Sequence, residues 1–519
     1  MALADYYSRG AQAAAQVLGS SFDESRFKEL LEETPVGLAI DRKAVESEEG
    51  RAIADLTVRL LARLYPTIAF LPGEGAEDEA ARLRQLARAI NPNITIEDSA
   101  GLGISIGAAV SPFSDTIYAG SKGWDALVST AKPQPLGSLG VPYGPGAAAC
   151  FACANLFRRI FVPNWPETAD GQLAFSTFEL RRGATKLPTG VTRVEEPVVL
   201  IGAGAIGNGA LWALARSSLI GTLHVVDHEE VELSNLQRYV LGERTDDGAV
   251  KVEVARRAFE DSSLDLIPHH SSFAEFVSEE GYESPSLLLA LDNASDRRAG
   301  QASLPRWIAN SWTQPGDLGV SVHPSFTDVG ACVACLYLQE SQQKNEDQLI
   351  AEALLVPELV PQVRQLLHTG EGLNPQFLDL VAQRLGRQPT LLGAFVGRHI
   401  RDLYVEGICG GAVLPLGQAG IPNATIHVPL AHQSALAGVL LAAAYERSLT
   451  NSALIETRVL RIDLLRPLGE VEAMPAQKRG DGRCICEDDD FRAAYERKWP
   501  SARRKPATRP RRDTARPAG

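Results

Sequence analysis

The chain has no apolar run long enough to cross a bilayer. Its longest runs, such as Ala435 to Tyr445, fall short of the roughly 20 residues a spanning helix needs. No cationic segment followed by an apolar core stands at the N-terminus, where Asp5 comes early. A cytoplasmic location, away from membranes, is therefore expected. Basic charge is also scarce, with a net charge of −13 over 519 residues. The last nineteen residues hold seven Lys/Arg and one Asp, so the remainder stands near −19. An acidic body argues against nucleic acid as the main partner. Cysteine is sparse as well: there are seven, six of them in close pairs. That pattern suits metal ligation in a reducing compartment better than a disulfide framework. The nine histidines show no ligand spacing beside Cys or carboxylate and receive no role.

What is present is an ordinary globular composition, 45% apolar, in a length that predicts several domains. Its centre is residues 197–251. A short apolar run, Val198 to Ile201, reads as a buried parallel strand. The turn Gly202-x-Gly204-x-x-Gly207 follows, then a helix through Ala210 to Ser217, then a strand Leu223 to Val226 that ends on Asp227. This is the strand, glycine turn, helix, strand and acid order of a dinucleotide-binding unit. Glycine lets the backbone approach a phosphate, and the helix start presents free N–H groups to it.

The segment after Asp227 narrows the choice. Ser234-Asn235-Leu236-Gln237-Arg238 follows, and Lys251 lies thirteen residues beyond Arg238. A hydride-transfer enzyme does not need an Asn, an Arg and a Lys at the cofactor phosphates. An enzyme that splits ATP between its α- and β-phosphates does, because charge builds there and fixed cations stabilise it.

This pattern resembles the adenylation domain of ubiquitin-activating enzymes and their bacterial relatives ThiF and MoeB. The resemblance continues through Leu291-Asp292-Asn293-Ala294-Ser295-Asp296-Arg297-Arg298, after the strand Ser286 to Ala290, and covers about 300 residues. Ala205 departs from it, since the family usually has glycine there; a methyl for a hydrogen leaves ATP binding as the expectation. The resemblance implies an α/β fold, a Rossmann-like adenylation domain beside a degenerate N-terminal α/β domain. It implies ATP and Mg²⁺, with Asp227 on the ribose, Asn235, Arg238 and Lys251 on the phosphates, and Asp292 on magnesium. On the long N-terminal half and the final cysteine pair, the chain most resembles activating enzymes of bacterial ubiquitin-like conjugation operons, including the antiphage Bil type.

Residues 1–190 are assigned to the degenerate domain. Helices are expected at Arg51 to Leu64, Glu79 to Ile90 and Gly146 to Ile160, with extended segments at Thr67 to Leu71, Ile104 to Val110 and Thr116 to Ala119. Arg158 and Arg159 are candidates for an arginine that reaches ATP from this half; the plainer reading is two solvated helix charges. Cys150 and Cys153 read as two small core residues rather than half a metal site. Residues 165–196 read as a linker or connecting hairpin.

The adenylation domain begins at 191, and its first part runs to 336. Cys332 and Cys335, with Cys484 and Cys486 near the far end, can supply four thiolates to one tetrahedral structural Zn²⁺. In the family such a staple joins these two regions, usually with CxxC in both. Residues 337–405 read as a helical insertion, with Asn374 as a cap, Pro375 in the first turn and Gly386 as the stop. Its face of Phe377, Leu380, Val381 and Leu385 packs on the core or docks a protein. Residues 406–499 carry Cys409 in a glycine-rich loop, then a strand Ala424 to Val428, a helix Gln433 to Arg447 and the second cysteine pair. Cys409 stands where the family places its acyl-accepting thiol. Residues 500–519 read as a disordered basic tail.

The function expected is ATP-dependent adenylation of the C-terminal glycine of a ubiquitin-like protein. Thioester formation on Cys409 and transfer to a conjugating enzyme follow, with homodimerisation left open. The alternatives are a sulfur-carrier adenylyltransferase without the thioester and, more remotely, an NAD-dependent oxidoreductase.

Overall fold

The computed structural model describes all residues except 1–2, 108–110, 164–166, 185–192, 315–316, 339–345, 405–406, 408–427, 451–453 and 501–519. Cys409 and residues 424–427 lie outside the described residues.

Two eight-stranded sheets carry the fold. The first contains β1 (Val36–Ile40), β2 (Thr67–Pro72), β3 (Thr95–Glu97), β4 (Leu102–Ile106), β5 (Asp115–Lys122), β6 (Asp125–Ser129), β7 (Gln172–Ser176) and β8 (Arg181–Arg182). The second contains β9 (Val198–Ile201), β10 (Gly221–Val226), β11 (Leu264–His269), β12 (Ser286–Leu289), β13 (Trp307–Gln314), β14 (Asp317–His323), β15 (Arg458–Ile462) and β16 (Met474–Pro475). The strand orders are β3-β2-β1-β4-β5-β6-β7-β8 and β11-β10-β9-β12-β13-β14-β15-β16. These are the same order, and in each sheet the first five strands are parallel and the rest antiparallel. One architecture therefore occurs twice.

The physical reason for the parallel part is visible in β1 and β9. Both are short, wholly apolar or glycine runs, buried at every position. Helices must cover both faces of such strands. The 165–196 stretch contributes β7 and β8 to the first sheet, so its hairpin is part of the domain and not a linker. Backbone bonds from Arg182 N to Val471 O (2.8 Å) and Ala473 N to Leu180 O (2.9 Å) join β8 to the run that enters β16. The two sheets thus meet edge to edge.

The halves share one core across four helices: Glu48–Leu61, Tyr143–Phe161, Ala205–Leu214 and Ala431–Ser448. Small residues let the last two approach backbone to backbone. A Cβ on Gly438 would stand 2.2 Å from the Ile206 carbonyl, and one on Gly209 2.7 Å from the Ala435 carbonyl. Asp55 anchors the seam. It accepts from Arg59, Trp212 and Arg216, each at 2.9 Å. Burial opposes its charge, but Arg59 and Arg216 overcome that and hold its carboxyl well below the usual range.

Cys150 and Cys153 are buried in the Tyr143–Phe161 helix, and burial pushes both thiols up. Arg158 is not solvated. It is fully buried, paired with Asp170 at 2.5 Å and bonded to the Leu464 carbonyl at 3.0 Å. Arg159 pairs with Asp115 at 2.5 Å.

Residues 346–404 form helices around a core of their own that includes Phe377, Val381, Leu366 and Leu392. Asn374 caps the Pro375–Arg384 helix through the Phe377 amide at 2.8 Å, and Gly386 follows it at φ +64°. No described helix is long and apolar enough to cross a membrane.

Candidate functional site

The two halves differ where β1 and β9 end. After β9, Gly202 takes φ +97°, and the helix starts at Ala205. A Cβ on Gly202 would lie 2.6 Å from the Ala290 carbonyl; one on Gly207 would lie 2.1 Å from the Gly202 carbonyl. Both positions demand glycine because backbone closes on them. Gly204 differs: a Cβ there meets only the Tyr239 hydroxyl, at 3.6 Å. The turn is tight behind and open in front. No side chain caps the helix start at Gly204, so its first N–H groups remain available to an anion.

After β1 the chain instead runs through Asp41 into a short helix, Arg42–Glu46, which Asp41 caps at 2.9 Å. A Cβ on Gly107, beyond β4, would strike the Asp41 carboxylate at 2.0 Å. An acid occupies that crevice and would repel a phosphate.

The connection after the second strand also differs. In the first half residues 73–76 suffice between β2 and the next helix; in the second, residues 227–250 separate β10 from the Lys251–Arg257 helix. This long connection builds the site. Asp227 clasps the glycine turn, accepting from Ala203 N at 2.8 Å and Glu229 N at 2.9 Å. Asn208 gives the turn a second hold. It donates to the Ala203 carbonyl at 2.7 Å and accepts from Leu241 N at 3.0 Å. Asn235 folds back on its own turn, accepting from Glu232 N at 3.2 Å.

Arg238 and Lys251 converge on Tyr239. The Arg238 guanidinium lies 5.6 Å from the ring centroid and the Lys251 ammonium 5.4 Å. Arg238 makes one long bond, 3.4 Å to the Ser234 carbonyl, and no ion pair among the described residues. Burial lowers its pKa, while Tyr239, Glu232 and Asp292 favour its charge. Lys251 is buried and paired with Glu229. Burial opposes its charge too, but Tyr239, Asp227 and Glu229 prevail and raise its pKa. Asp292 is exposed at the end of β12, held by Asn293, which caps the Ala294–Ala302 helix through Asp296 N at 2.8 Å. Of the sequence candidates, Gly202, Gly204, Gly207, Asp227, Arg238, Lys251 and Asp292 therefore gather at one crevice.

The first half supplies the floor. Arg59 donates to the Val240 carbonyl at 2.9 Å, and buried Arg63 donates to the carbonyls of Tyr239 and Gly242. Helix Tyr7–Leu18 lies against Leu233–Gln237, placing Gly10 beside Gln237. Tyr6 packs with Val231, Leu236 and Val254. Tyr239, Asn208, Arg59 and Arg63 were not singled out from sequence. The first half has no matching long connection. Between its corresponding helices and Arg216 it holds instead an open cavity of about 540 Å³.

Cys332, Cys335, Cys484 and Cys486 are all buried, with all four Sγ atoms within 4.8 Å of one another. Four of the separations are 3.8, 3.5, 3.3 and 3.4 Å. Zn–S bonds of about 2.3 Å in a tetrahedron put sulfurs roughly 3.8 Å apart, so the donor set fits a structural zinc and leaves no open position. The CxC spacing closes the set as well as CxxC would.

A family model described as ThiF family matches residues 194–484, and one described as Prokaryotic E2 family C matches residues 39–162. The uncharacterized protein y4jF of Sinorhizobium fredii is 43% identical over 96% of this chain and 98% of its own length. The Nedd8-activating enzyme E1 catalytic subunit of Drosophila melanogaster is 38% identical over 20% of this chain and 23% of that protein. The adenylyltransferase and sulfurtransferase MOCS3 of Aedes aegypti is 32% identical over 19% and 23%. Against both of these the chain spans about a quarter of the relative's length. Among solved structures, E. coli MccB with MccA-N7isoASN matches at TM-score 0.33 and 14% identity, over 57% of this chain and 67% of that one.

Proposed function

The chain belongs to the ThiF family, and from that premise we propose that it is an ATP-dependent adenylyltransferase acting on the C-terminal carboxylate of a small protein. The observation that carries the reading is the convergence of Arg238 and Lys251 on Tyr239, in front of the open Gly204 turn and opposite the exposed Asp292. In this reading the turn and the helix start hold phosphate, and Asp227 reaches the ribose. A carboxylate oxygen of the carrier attacks the α-phosphorus. The bond from that phosphorus to the bridging oxygen breaks, and pyrophosphate leaves with the electron pair. Arg238 and Lys251 stabilise the charge that builds on both sides of that bond. Asp292 would hold a magnesium ion, whose chemistry is to neutralise phosphate oxygens.

The carrier we infer is a ubiquitin-like protein ending in glycine. Cys409 would take the acyl group from the adenylate as a thioester, releasing AMP, and a conjugating enzyme would accept it. The family names of the matched relatives and of the 39–162 match support that context. The first half serves as a copy of the fold that binds no nucleotide, since Asp41 fills the place of the glycine turn.

Isotope exchange of pyrophosphate into ATP tests the first step, with small glycine-tailed proteins as carriers. Lys251→Ala and Arg238→Ala should each lower exchange by roughly 10²–10³-fold. Wild-type rates in both variants would sink the reading. The second reading, a sulfur-carrier adenylyltransferase, keeps this step and differs at Cys409. A thiol-labile adduct lost in Cys409→Ala separates the two.

A further inference from the structure

The magnesium acid and the cysteine knot lie at opposite ends of one buried polar chain. Arg297, buried in the Ala294–Ala302 helix, donates to the Leu291 carbonyl, one residue before Asp292, and to the Tyr337 hydroxyl. Tyr337 follows Cys335 by two residues. Its oxygen also accepts from Asn310 Nδ2 at 3.0 Å, and Asn310 donates to Ser321 Oγ at 3.3 Å. Ser321 meets His323 Nε2 at 2.9 Å, and His323 Nδ1 meets the Ala331 carbonyl at 2.7 Å. A carbonyl only accepts, so Nδ1 carries the proton and Nε2 accepts from the serine hydroxyl. Ala331 immediately precedes Cys332. The same helix makes a second tie to the knot: Gln301 Oε1 accepts from Val333 N at 2.9 Å.

Asn310, Ser321, His323 and Gln301 are each at most 2% exposed, and Arg297 is 4% exposed. Polar groups at such depth cost free energy unless they are hydrogen-bonded, and a bonded network there is rigid. Asp292 itself is exposed, and its one side-chain hydrogen bond among the described residues is a long one from Asn293 at 3.4 Å. The Leu291 carbonyl behind it is what the chain grips.

We propose that Arg297 is a positioning residue: through the Leu291 carbonyl it orients Asp292 for magnesium, and through Tyr337 and Asn310 it ties that orientation to the cysteine knot. This rests on the reading of Asp292 as a magnesium ligand. Arg297 touches neither nucleotide nor metal and acts on the acid through one peptide unit.

The test uses the full chain and a non-hydrolysable ATP analogue, titrated by calorimetry across a range of Mg²⁺ and again in EDTA, with metal content measured on the same samples. Arg297→Met should raise the Mg²⁺ concentration for half-maximal nucleotide binding about tenfold, the size of effect that supporting residues exert on a metal site. Affinity in EDTA should stay within about twofold. Tyr337→Phe removes a single oxygen and should move the Mg²⁺ requirement in the same direction by a smaller factor; it carries the test if Arg297→Met does not fold. Arg297→Lys, which can reach one acceptor but not both, should recover part of the loss. Unchanged Mg²⁺ dependence in Arg297→Met and Tyr337→Phe overturns the proposal. So does an equal loss of affinity with and without Mg²⁺. A wild-type protein whose nucleotide binding ignores Mg²⁺ removes the reading of Asp292 itself, and is recognised by appearing before any substitution is made.

Discussion

Arg63→Met tests whether the first half holds the nucleotide site in shape. Arg63 is 3% exposed and donates to the carbonyls of Tyr239 and Gly242, about 180 residues away in sequence. Hydrogen bonds from a charged donor contribute about 1.5–3 kcal/mol each, so two amount to roughly 3–6 kcal/mol. Burial weakens the charge, pushing the guanidinium from 12.5 down to about 10. At about 1.4 kcal/mol per unit, that is a penalty of roughly 3.5 kcal/mol, which leaves a net loss of at most about 2.5 kcal/mol. For a chain of 519 residues, an unfolding entropy of about 2.1 cal/mol/K per residue turns this into a melting shift of at most roughly 2 °C. The effect on function should be larger than that shift suggests. Tyr239 is the surface on which Arg238 and Lys251 converge, and a freed Tyr239–Gly242 segment lets both drift. Binding of Mg–ATP, read by calorimetry, should weaken at least about tenfold, equivalent to about 1.4 kcal/mol. A variant that melts within a degree of wild type and binds Mg–ATP with wild-type affinity would refute the reasoning. It would mean that the second half shapes its own site.

Two further outcomes are expected. Burial raises the Glu446 pKa to about 7 against an ordinary 4.5, partly countered by the Tyr143 hydroxyl that donates to it at 2.5 Å. The folded state therefore keeps a proton that the unfolded state releases, and stability falls as pH rises from 4.5 to 7. Glu446→Gln removes that dependence. Relative to wild type it should gain up to about 3 kcal/mol between pH 4.5 and pH 8 in urea unfolding; parallel curves would contradict the assignment. Zinc removal by a strong chelator, or Cys484→Ser, should release about one zinc per chain and free the Asp489–Lys498 helix. Trp499 and Lys498 fasten that helix to Leu304 and Ser303, so its release should appear as early tryptic cleavage there; an unchanged digest would count against a stapling role.

The sequence exposes local features of this site and hides those built by packing. The glycines, Asp227, Arg238, Lys251 and Asp292 stand in patterns that a short window displays, because a tight turn and a strand end constrain nearby residues. The four cysteines are legible for the same reason: thiols in close pairs have few other uses. Tyr239, Arg59, Arg63 and Arg297 matter through partners that only the fold supplies, and in sequence each is an unremarked aromatic or helix charge. Arg158 shows the converse. As a candidate for the nucleotide it is plausible, yet its guanidinium is spent on Asp170 of the first half and on the Leu464 carbonyl of the second. The strands β15 and β16 also escape the sequence reading. They are short, and β15 is half polar, RVLRI, because one face meets water. Residues 165–196 read as connection for a like reason, since β8 is two residues long.

The edge-to-edge contact of β8 with the run before β16 has a bearing on solubility. Two separate sheets would present four bare rims, each a row of unpaired amides on which a stray strand could nucleate. Joined, the described strands present two. One is β3, three residues long and largely polar; the other is β11, where Pro268 has no amide hydrogen to offer. With so little rim exposed, the described sheets offer few unpaired amides on which a foreign strand could seat.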